Sequence, residues 1–213
     1  MEPDVTTKIL AAAKEVFTQK GYAAARTQEI AEAAGVNKGL LHYYKWNKEK
    51  LFRAVFDEAF HDLMVSINSV FEADIPLFEK IEKFVDTYMD VLIDNPALPS
   101  FVINELNQNQ EVFVKDILNR KERPNPMKLL VQIQLEAQAG RIREDVTPFN
   151  FFLNMLSICA FPFVARPLLQ QLIQIDDQTY MQLMQKRKKE VTDFIIHAIQ
   201  KNWFFLELIY LIG

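Results

Sequence analysis

The sequence predicts an all-α protein, with an N-terminal three-helix helix-turn-helix head fused to a larger helical body. Three observations support this. Apolar residues recur at helical spacing along most of the chain, no stretch alternates apolar and polar residues as a half-buried strand does, and only five glycines interrupt 213 residues. The expected boundaries are residues 1–50 for the head and 51–213 for the body.

Taken in order, Thr6 or Thr7 caps a first helix with Ile9, Leu10, Ala13, Val16 and Phe17 inward, and Gly21 ends it. Thr27 caps a second, with Ile30, Ala31 and Ala34 inward and the acids Glu29 and Glu32 in its early turns, where the helix dipole favours them. Gly35 breaks that helix after about two turns. Asn37 caps a third, Lys38 to about Tyr44, and Asn47 caps a fourth that runs from Lys48 to about Phe71. Pro76 opens a helix that continues to Ile93, with Ile81, Phe84, Val85, Tyr88 and Leu92 on its inner face; "NPALPS" breaks it. Further periods cover Phe101–Asn107, Val112–Arg120 and Pro126–Ala139, closed by Gly140. Thr147-Pro148 starts a helix expected to reach Ile173, kinked or broken by Pro162 and Pro167. The last helix is expected from Gln178 to beyond Trp203.

The second and third helices, joined by a turn of three or four residues containing glycine, form a helix-turn-helix. Counted from Thr27, the fifth residue is Ala31, small enough for close crossing; the ninth is Gly35, which permits the turn; Val36 and Leu41 pack on its two sides.

The net charge of −4 conceals an asymmetry. Residues 1–53 hold nine Lys/Arg against six Asp/Glu, and residues 54–213 hold fifteen against twenty-two. A basic head on an acidic body suggests that the head alone meets a polyanion. Cys159 is the single cysteine, which excludes an intrachain disulfide and reads as an inert core thiol. The acidic, polar "MEPDVTTKIL" is not a signal peptide, and no apolar run reaches the roughly 18 residues of a membrane span; "WFFLELIYLIG", with Glu207 in it, comes closest. A cytoplasmic location without membrane contact follows by elimination. His42, His61 and His197 have no partner at metal-ligand spacing, so no metal or cofactor is expected. No nucleophile motif or Gly-rich phosphate loop points to an enzyme. "KRKK" at 186–189 reads as the solvated face of a long helix.

The first fifty or so residues resemble the N-terminal domain of the TetR (tetracycline-repressor-like) transcriptional regulators. The resemblance rests on Phe17, Gly21 and Tyr22; on Thr27, Ile30, Ala31, Ala34, Gly35, Val36, Asn37, Lys38, Gly39, Leu41, His42 and Tyr43; and on Asn47, Lys48, Glu49 and Leu51. It covers about a quarter of the chain. The rest matches in size and helix number only. One departure is "YYKW": such sequences usually carry phenylalanine where Lys45 stands. Either Trp46 fills the gap from one residue on or the head packs less well, and Lys45 is expected to snorkel to solvent.

The third helix then has a role. Lys38, Leu40, His42 and Tyr43 make no apolar stripe, and a major groove admits one helix whose N-terminal residues reach base edges. Gly39 allows close approach, Lys38 suits a phosphate or guanine, and Leu40 a thymine methyl. Tyr43 and Lys48 suit phosphate oxygens, as the resemblance also implies. Thr27 offers a hydroxyl and free backbone N–H groups to a phosphate. The DNA-contacting set is therefore Thr27, Lys38, Gly39, Leu40, His42, Tyr43 and Lys48.

In the body, Phe84, Tyr88, Phe101, Phe113, Phe151, Phe152, Met155, Phe161 and Phe163 read individually as core. The resemblance implies a small-molecule effector inside the body; Phe84, Tyr88, Phe101, Phe113, Met155 and Phe161 are expected around it, with Asn104 or Glu105 as polar contacts. The last two long helices carry more apolar surface than one face needs. Met155, Leu156, Tyr180, Leu183, Val191, Phe194, Ile195 and Ala198 are expected to form a two-fold four-helix bundle in a homodimer. Two functions follow: a dimeric repressor released from operator DNA by a small apolar or amphipathic ligand, or a helical DNA-binding regulator controlled by a protein partner. Ligand uptake that lowers operator affinity separates them.

Overall fold

A computed structural model describes residues 4–121 and 123–201. These form eleven helices: α1 (Val5–Ala24), α2 (Thr27–Ala33), α3 (Lys38–Tyr43), α4 (Lys48–Glu72), α5 (Leu77–Asp94), α6 (Leu98–Gln108), α7 (Gln110–Asn119), α8 (Met127–Gln138), α9 (Pro148–Val164), α10 (Arg166–Ile173) and α11 (Asp177–Ile199). The one β-type contact among the described residues is an isolated bridge, Ile142 to Gln200.

The head packs around Ile9, Ala13, Phe17, Ile30, Ala31, Leu41 and Leu51, each at most 2 % exposed. Gly21 has φ 70 and ψ 171, a conformation that only glycine holds without strain. It breaks the helical path inside α1 and lets Tyr22 turn onto Phe17 and Phe52, with ring centroids at 6.3 and 4.6 Å. The start of α1 differs from expectation. Asp4 is its N-cap, without a side-chain cap, and Thr6 and Thr7 lie inside the first turn. Likewise Arg26, not Thr27, is the N-cap of α2. Glu29 Oε2 accepts from the Arg26 backbone N–H at 3.2 Å, and Thr27 becomes the first helical residue. Asn37 and Asn47 cap as expected, accepting from the N–H groups of Leu40 and Lys50, both at 2.8 Å.

α4 runs from head to body, packing on α1 at one end and on α5 along its length. In the body, "NPALPS" breaks α5 but also supplies the start of α6, since Leu98 and Pro99 are already helical. The two prolines of the long apolar segment behave differently. Pro167 opens α10 after a break at Ala165, where the chain bends by 65°. Pro162 stays inside α9. Having no N–H, it leaves the carbonyl of Ile158 without its helical donor, and Arg187 Nη2 from α11 reaches that oxygen at 3.5 Å. The Tyr180 hydroxyl, also from α11, donates to the Pro162 carbonyl at 2.7 Å. α11 thus repairs the helix that its neighbour's proline interrupts.

No single helix among the described residues is long and apolar enough to cross a membrane; the bent α9–α10 pair passes on length and composition only. α11 starts at Asp177, capped by Asp176, and ends at Ile199. The expected extension past Trp203, and "WFFLELIYLIG" with it, lies outside the described residues.

Candidate nucleic-acid interface

Three helix ends build the site. α2 ends in a pair of crossed hydrogen bonds, Val36 N–H to the Ala31 carbonyl at 2.9 Å and Gly35 N–H to that of Glu32 at 3.0 Å. This is the Schellman arrangement, whose middle residue must be left-handed, and Gly35 has φ 67. α3 ends identically, with Trp46 N–H to Leu41 at 2.8 Å and Lys45 N–H to His42 at 3.0 Å. Here the left-handed slot holds Lys45, φ 56. The motif resolves the alternatives for Lys45-Trp46. The residue after the left-handed one turns back onto the helix, so Trp46 packs partly buried against the head core and Lys45 is exposed.

A concavity of about 380 Å³ lies between the start of α2, α3 and the start of α4. Thr27, Lys38, His42 and Lys48 line it, four of the seven expected contact residues. Lys45, Trp46 and Asn47 line it too. Lys45, expected to snorkel to solvent but absent from the expected contact set, is exposed beside it.

The other three stand on α3. Tyr43 is 78 % exposed, its ring edge-on to Tyr44 at 5.4 Å. Leu40 is half-buried. Gly39 is exposed and has a local reason of its own: a Cβ there would meet the capping Oδ1 of Asn37 at 3.1 Å. Lys48 is engaged within the protein, its Nζ donating to the Ala23 carbonyl at 3.0 Å and lying 4.7 Å from the Tyr22 ring centre. Lys38 makes no ion pair among the described residues, whereas Lys20 is tied to Glu29 at 3.0 Å. That contact first, and the Arg26 N–H after it, hold the Glu29 carboxyl below the usual range against the opposing effect of burial.

The expected effector residues divide. Phe84 and Tyr88 lie together at 5.5 Å, on α5, which packs on α9. Phe101 and Phe113 form a second cluster at 6.0 Å, joined by Phe56 and Phe60. Phe84, Phe101, Phe113 and Met155 are at most 2 % exposed, packed rather than lining open space. Phe161 is not with them; it lies 61 % exposed on the outside of α9. Glu105 is buried and ion-paired, while Asn104 Nδ2 is buried without a partner among the described residues. Cys159 is buried, and burial pushes its thiol up to about 12 against the pull of Arg187.

The expected dimer set also needs correction. Met155, Tyr180, Val191 and Ile195 are at most 3 % exposed within one protomer, so they belong to its own core. α9 carries Asn150, Asn154 and Ser157 on one face at i, i+4 and i+7, which is its exposed side, and Met155 lies on the opposite, buried side. Leu183 and Phe194 of that set are exposed, at 42 and 63 %, and the exposed large apolar residues of α9 are Phe149, Leu153, Phe161 and Val164, between 36 and 61 %.

Between head and body, α4 presents Glu49, Arg53 and Asp57 on successive turns. Asn109 Nδ2 lies 3.5 Å from Glu49, Glu105 3.0 Å from Arg53 Nη2, and Arg120 Nη2 2.8 Å from Asp57. Burial opposes the charge of Arg120, but hydrogen bonds to Asp116 and Asp57 outweigh it and raise its pKa. Among the described residues no group of His, Cys, Asp and Glu could hold a metal ion.

Comparison with known proteins agrees with this architecture. Residues 9–55 match the family described as bacterial regulatory proteins, tetR family, and residues 78–195 match the tetracyclin repressor-like C-terminal domain. The chain is 26 % identical over 175 residues to the HTH-type transcriptional repressor NicS of Pseudomonas putida, covering 79 % of this chain and 80 % of that one. It is 28 % identical over 136 residues to the repressor DhaR of a Mycobacterium species, covering 63 % and 68 %. A crystal structure of a tetR-family regulatory protein from Rhodococcus RHA1 superposes with TM-score 0.60 at 21 % identity, over 91 % of this chain and 97 % of that one. The helix-turn-helix head, the helical body and the two domain matches that between them reach from Ile9 to Ile195 establish that the chain is a helix-turn-helix transcriptional regulator belonging to the TetR family.

Proposed function

We propose that the chain is a dimeric repressor that binds two-fold operator DNA through residues 1–50 and is released when an apolar or amphipathic small molecule enters the body, residues 51–213. The observation that carries the DNA reading is the head concavity, with Thr27, Lys38, His42 and Lys45 around it and exposed Tyr43 beside it. In this reading α3 enters the major groove. Lys38 and Lys45 neutralise phosphates, Tyr43 donates to a phosphate oxygen, and Gly39 and Leu40 lie against the base edges. Lys48 contributes less through its ammonium, which is engaged within the head, than through its place at the start of α4. Such a protein works in the cytoplasm, where the chromosome is.

Two heads are needed because one basic head is a weak anchor. The exposed apolar residues of α9 and α11, Phe149, Leu153, Phe161, Leu183 and Phe194, support pairing of those helices across a two-fold axis. Repression, rather than activation, is favoured by NicS and DhaR, whose names say repressor. For the effector, the clusters around Phe84–Tyr88 and Phe101–Phe113 have to repack, because close-packed interiors shift between discrete arrangements. The α4 stripe Glu49–Arg53–Asp57 passes that change to the heads. A ligand that prefers the released state a hundredfold supplies about 2.7 kcal/mol, within the usual range of coupling.

The test is selection of duplexes from a random library by the full chain. The expected result is a two-fold symmetric site with half-sites about 34–36 Å apart, or a multiple of that. Absence of any enriched sequence, or enrichment of a single asymmetric half-site, contradicts the reading.

A further inference from the structure

α8 buries Leu129, Ile133 and Ala137 and carries a second apolar stripe on its outer side. Met127, Val131 and Leu135 are 58, 51 and 55 % exposed, and Ala139, also exposed, continues their spacing of four. Residues four apart lie one above the other on a helix face, so the stripe runs the length of α8 and ends beside Gly140.

The path of the chain after α11 points at that end of the stripe. The Arg143 N–H donates to the Ile199 carbonyl at 2.9 Å, and Ile142 and Gln200 form an antiparallel bridge. Lys201 Nζ lies 3.4 Å from where a Cβ on Gly140 would stand. As the chain advances from 199 to 201, its neighbours therefore run back from 143 to 140. Arg143 Nη1 on the Ala198 carbonyl at 3.0 Å and Lys201 on Glu144 at 3.3 Å hold it there. Continued in that direction, the chain meets Ala139 and α8 and moves away from α9, which starts at Pro148.

The next twelve residues, 202–213, lie outside the described residues and read "NWFFLELIYLIG", with nine apolar or aromatic side chains and one charge, Glu207. A segment of that composition is driven out of water onto apolar surface. Its reach fits the stripe: twelve residues span about 18 Å even at the helical rise of 1.5 Å per residue, the same distance that separates Ala139 from Met127 along α8.

We propose that residues 202–213 dock on the outer stripe of α8 in their own chain, over Ala139, Leu135, Val131 and Met127. This surface is separate from the exposed faces of α9 and α11, and the inference does not rest on the repressor reading, because docking is measured without DNA.

The experiment is quenching of Trp203 by a nitroxide attached to α8 in the full chain. Trp46 and Trp203 are the two tryptophans, so Trp46→Phe leaves Trp203 alone. Cys159 is buried, so labelling goes to the introduced cysteine of Gln134→Cys, exposed beside the stripe. The label at 134 is expected to lower Trp203 emission at least twofold, and one at Glu15→Cys on α1 to leave it unchanged. The quenching is expected to survive subunit exchange with excess unlabelled Trp46→Phe/Trp203→Phe chain. It is expected to vanish in Val131→Asp/Leu135→Asp, which places carboxylates under the docked segment. Absence of quenching overturns the proposal, and so does quenching untouched by the two aspartates. Quenching lost on exchange assigns the stripe to the tail of a partner copy and also overturns it. If the aspartates alter the circular dichroism spectrum, the exchange experiment and the two label positions still decide.

Discussion

Glu105 on α6 is 1 % exposed, and its Oε2 lies 3.0 Å from Nη2 of Arg53 on α4, whose side chain is 43 % exposed. The two halves of this ion pair are therefore unequal. Removing Glu105 returns Arg53 to water, whereas removing Arg53 strands a buried carboxylate. Arg53→Ala is predicted to destabilise the protein by about 1–3 kcal/mol, the cost of an unsatisfied buried group. Adding Glu105→Leu is predicted to recover most of that loss, since the stranded charge is gone. Urea unfolding of both single variants and the double variant measures the coupling. Strictly additive costs mean that the pair does not tie α4 to α6.

Lys45 occupies a left-handed position that glycine usually fills, φ 56. A non-glycine residue there costs about 1–2 kcal/mol, and glycine's larger unfolded-state entropy offsets part of the gain. Lys45→Gly is predicted to stabilise the chain by about 0.5–1 kcal/mol. It is also predicted to weaken DNA binding and to lower the salt dependence of binding by about one phosphate contact. A rise in melting temperature with an unchanged salt slope separates the two roles and removes Lys45 from the interface.

How much of this was legible depended on range. Asn37, Gly35 and Asn47 announce their turns because capping is local, settled within four residues. The left-handed Lys45 was legible as an anomaly at the usual phenylalanine position, but not as the middle of a Schellman turn. The kink or break expected from Pro162 and Pro167 falls at Ala165; that Pro162 itself stays helical is not legible, because Arg187 and Tyr180, which hydrogen-bond the Ile158 and Pro162 carbonyls, stand eighteen or more residues away in the chain. Along α9 the spacing was legible: Asn150, Asn154 and Ser157 share the face that Phe161 continues, which marks Phe161 as outward and Met155 as inward.

Lys80 is 1 % exposed, with its Nζ donating to the Phe71 carbonyl at 3.0 Å in the last turn of α4. Burial first, then the charge of Lys128, lower its pKa, with Asp74 and Glu72 opposing. The unfolded chain therefore binds more protons than the native one between the native pKa and the ordinary 10.5, and stability contributed by this group rises with pH through that window. Lys80→Met is predicted to abolish the rise. Comparing urea unfolding at pH 7 and pH 10 checks it: the wild type should gain relative to the variant, and equal pH dependence would remove Lys80 as its source.

Phe161 and Phe194 are 61 and 63 % exposed on α9 and α11. A carboxylate on that face is incompatible with burial between protomers. Phe194→Asp is predicted to sediment as a monomer at micromolar concentration, with its thermal transition intact at a lower temperature, while the wild type sediments as a dimer. A monomeric wild type contradicts the two-fold arrangement.

If α3 meets DNA, Tyr43, 78 % exposed with the Tyr44 ring edge-on to its own at 5.4 Å, is the side chain whose loss shows it first. Fluorescence anisotropy of the selected operator duplex is measured with the wild type and with Tyr43→Ala. Loss of a hydrogen bond to a charged phosphate is predicted to cost about 1–2 kcal/mol, or roughly 5- to 30-fold in affinity, with unfolding unchanged. Full operator affinity in Tyr43→Ala would contradict the account.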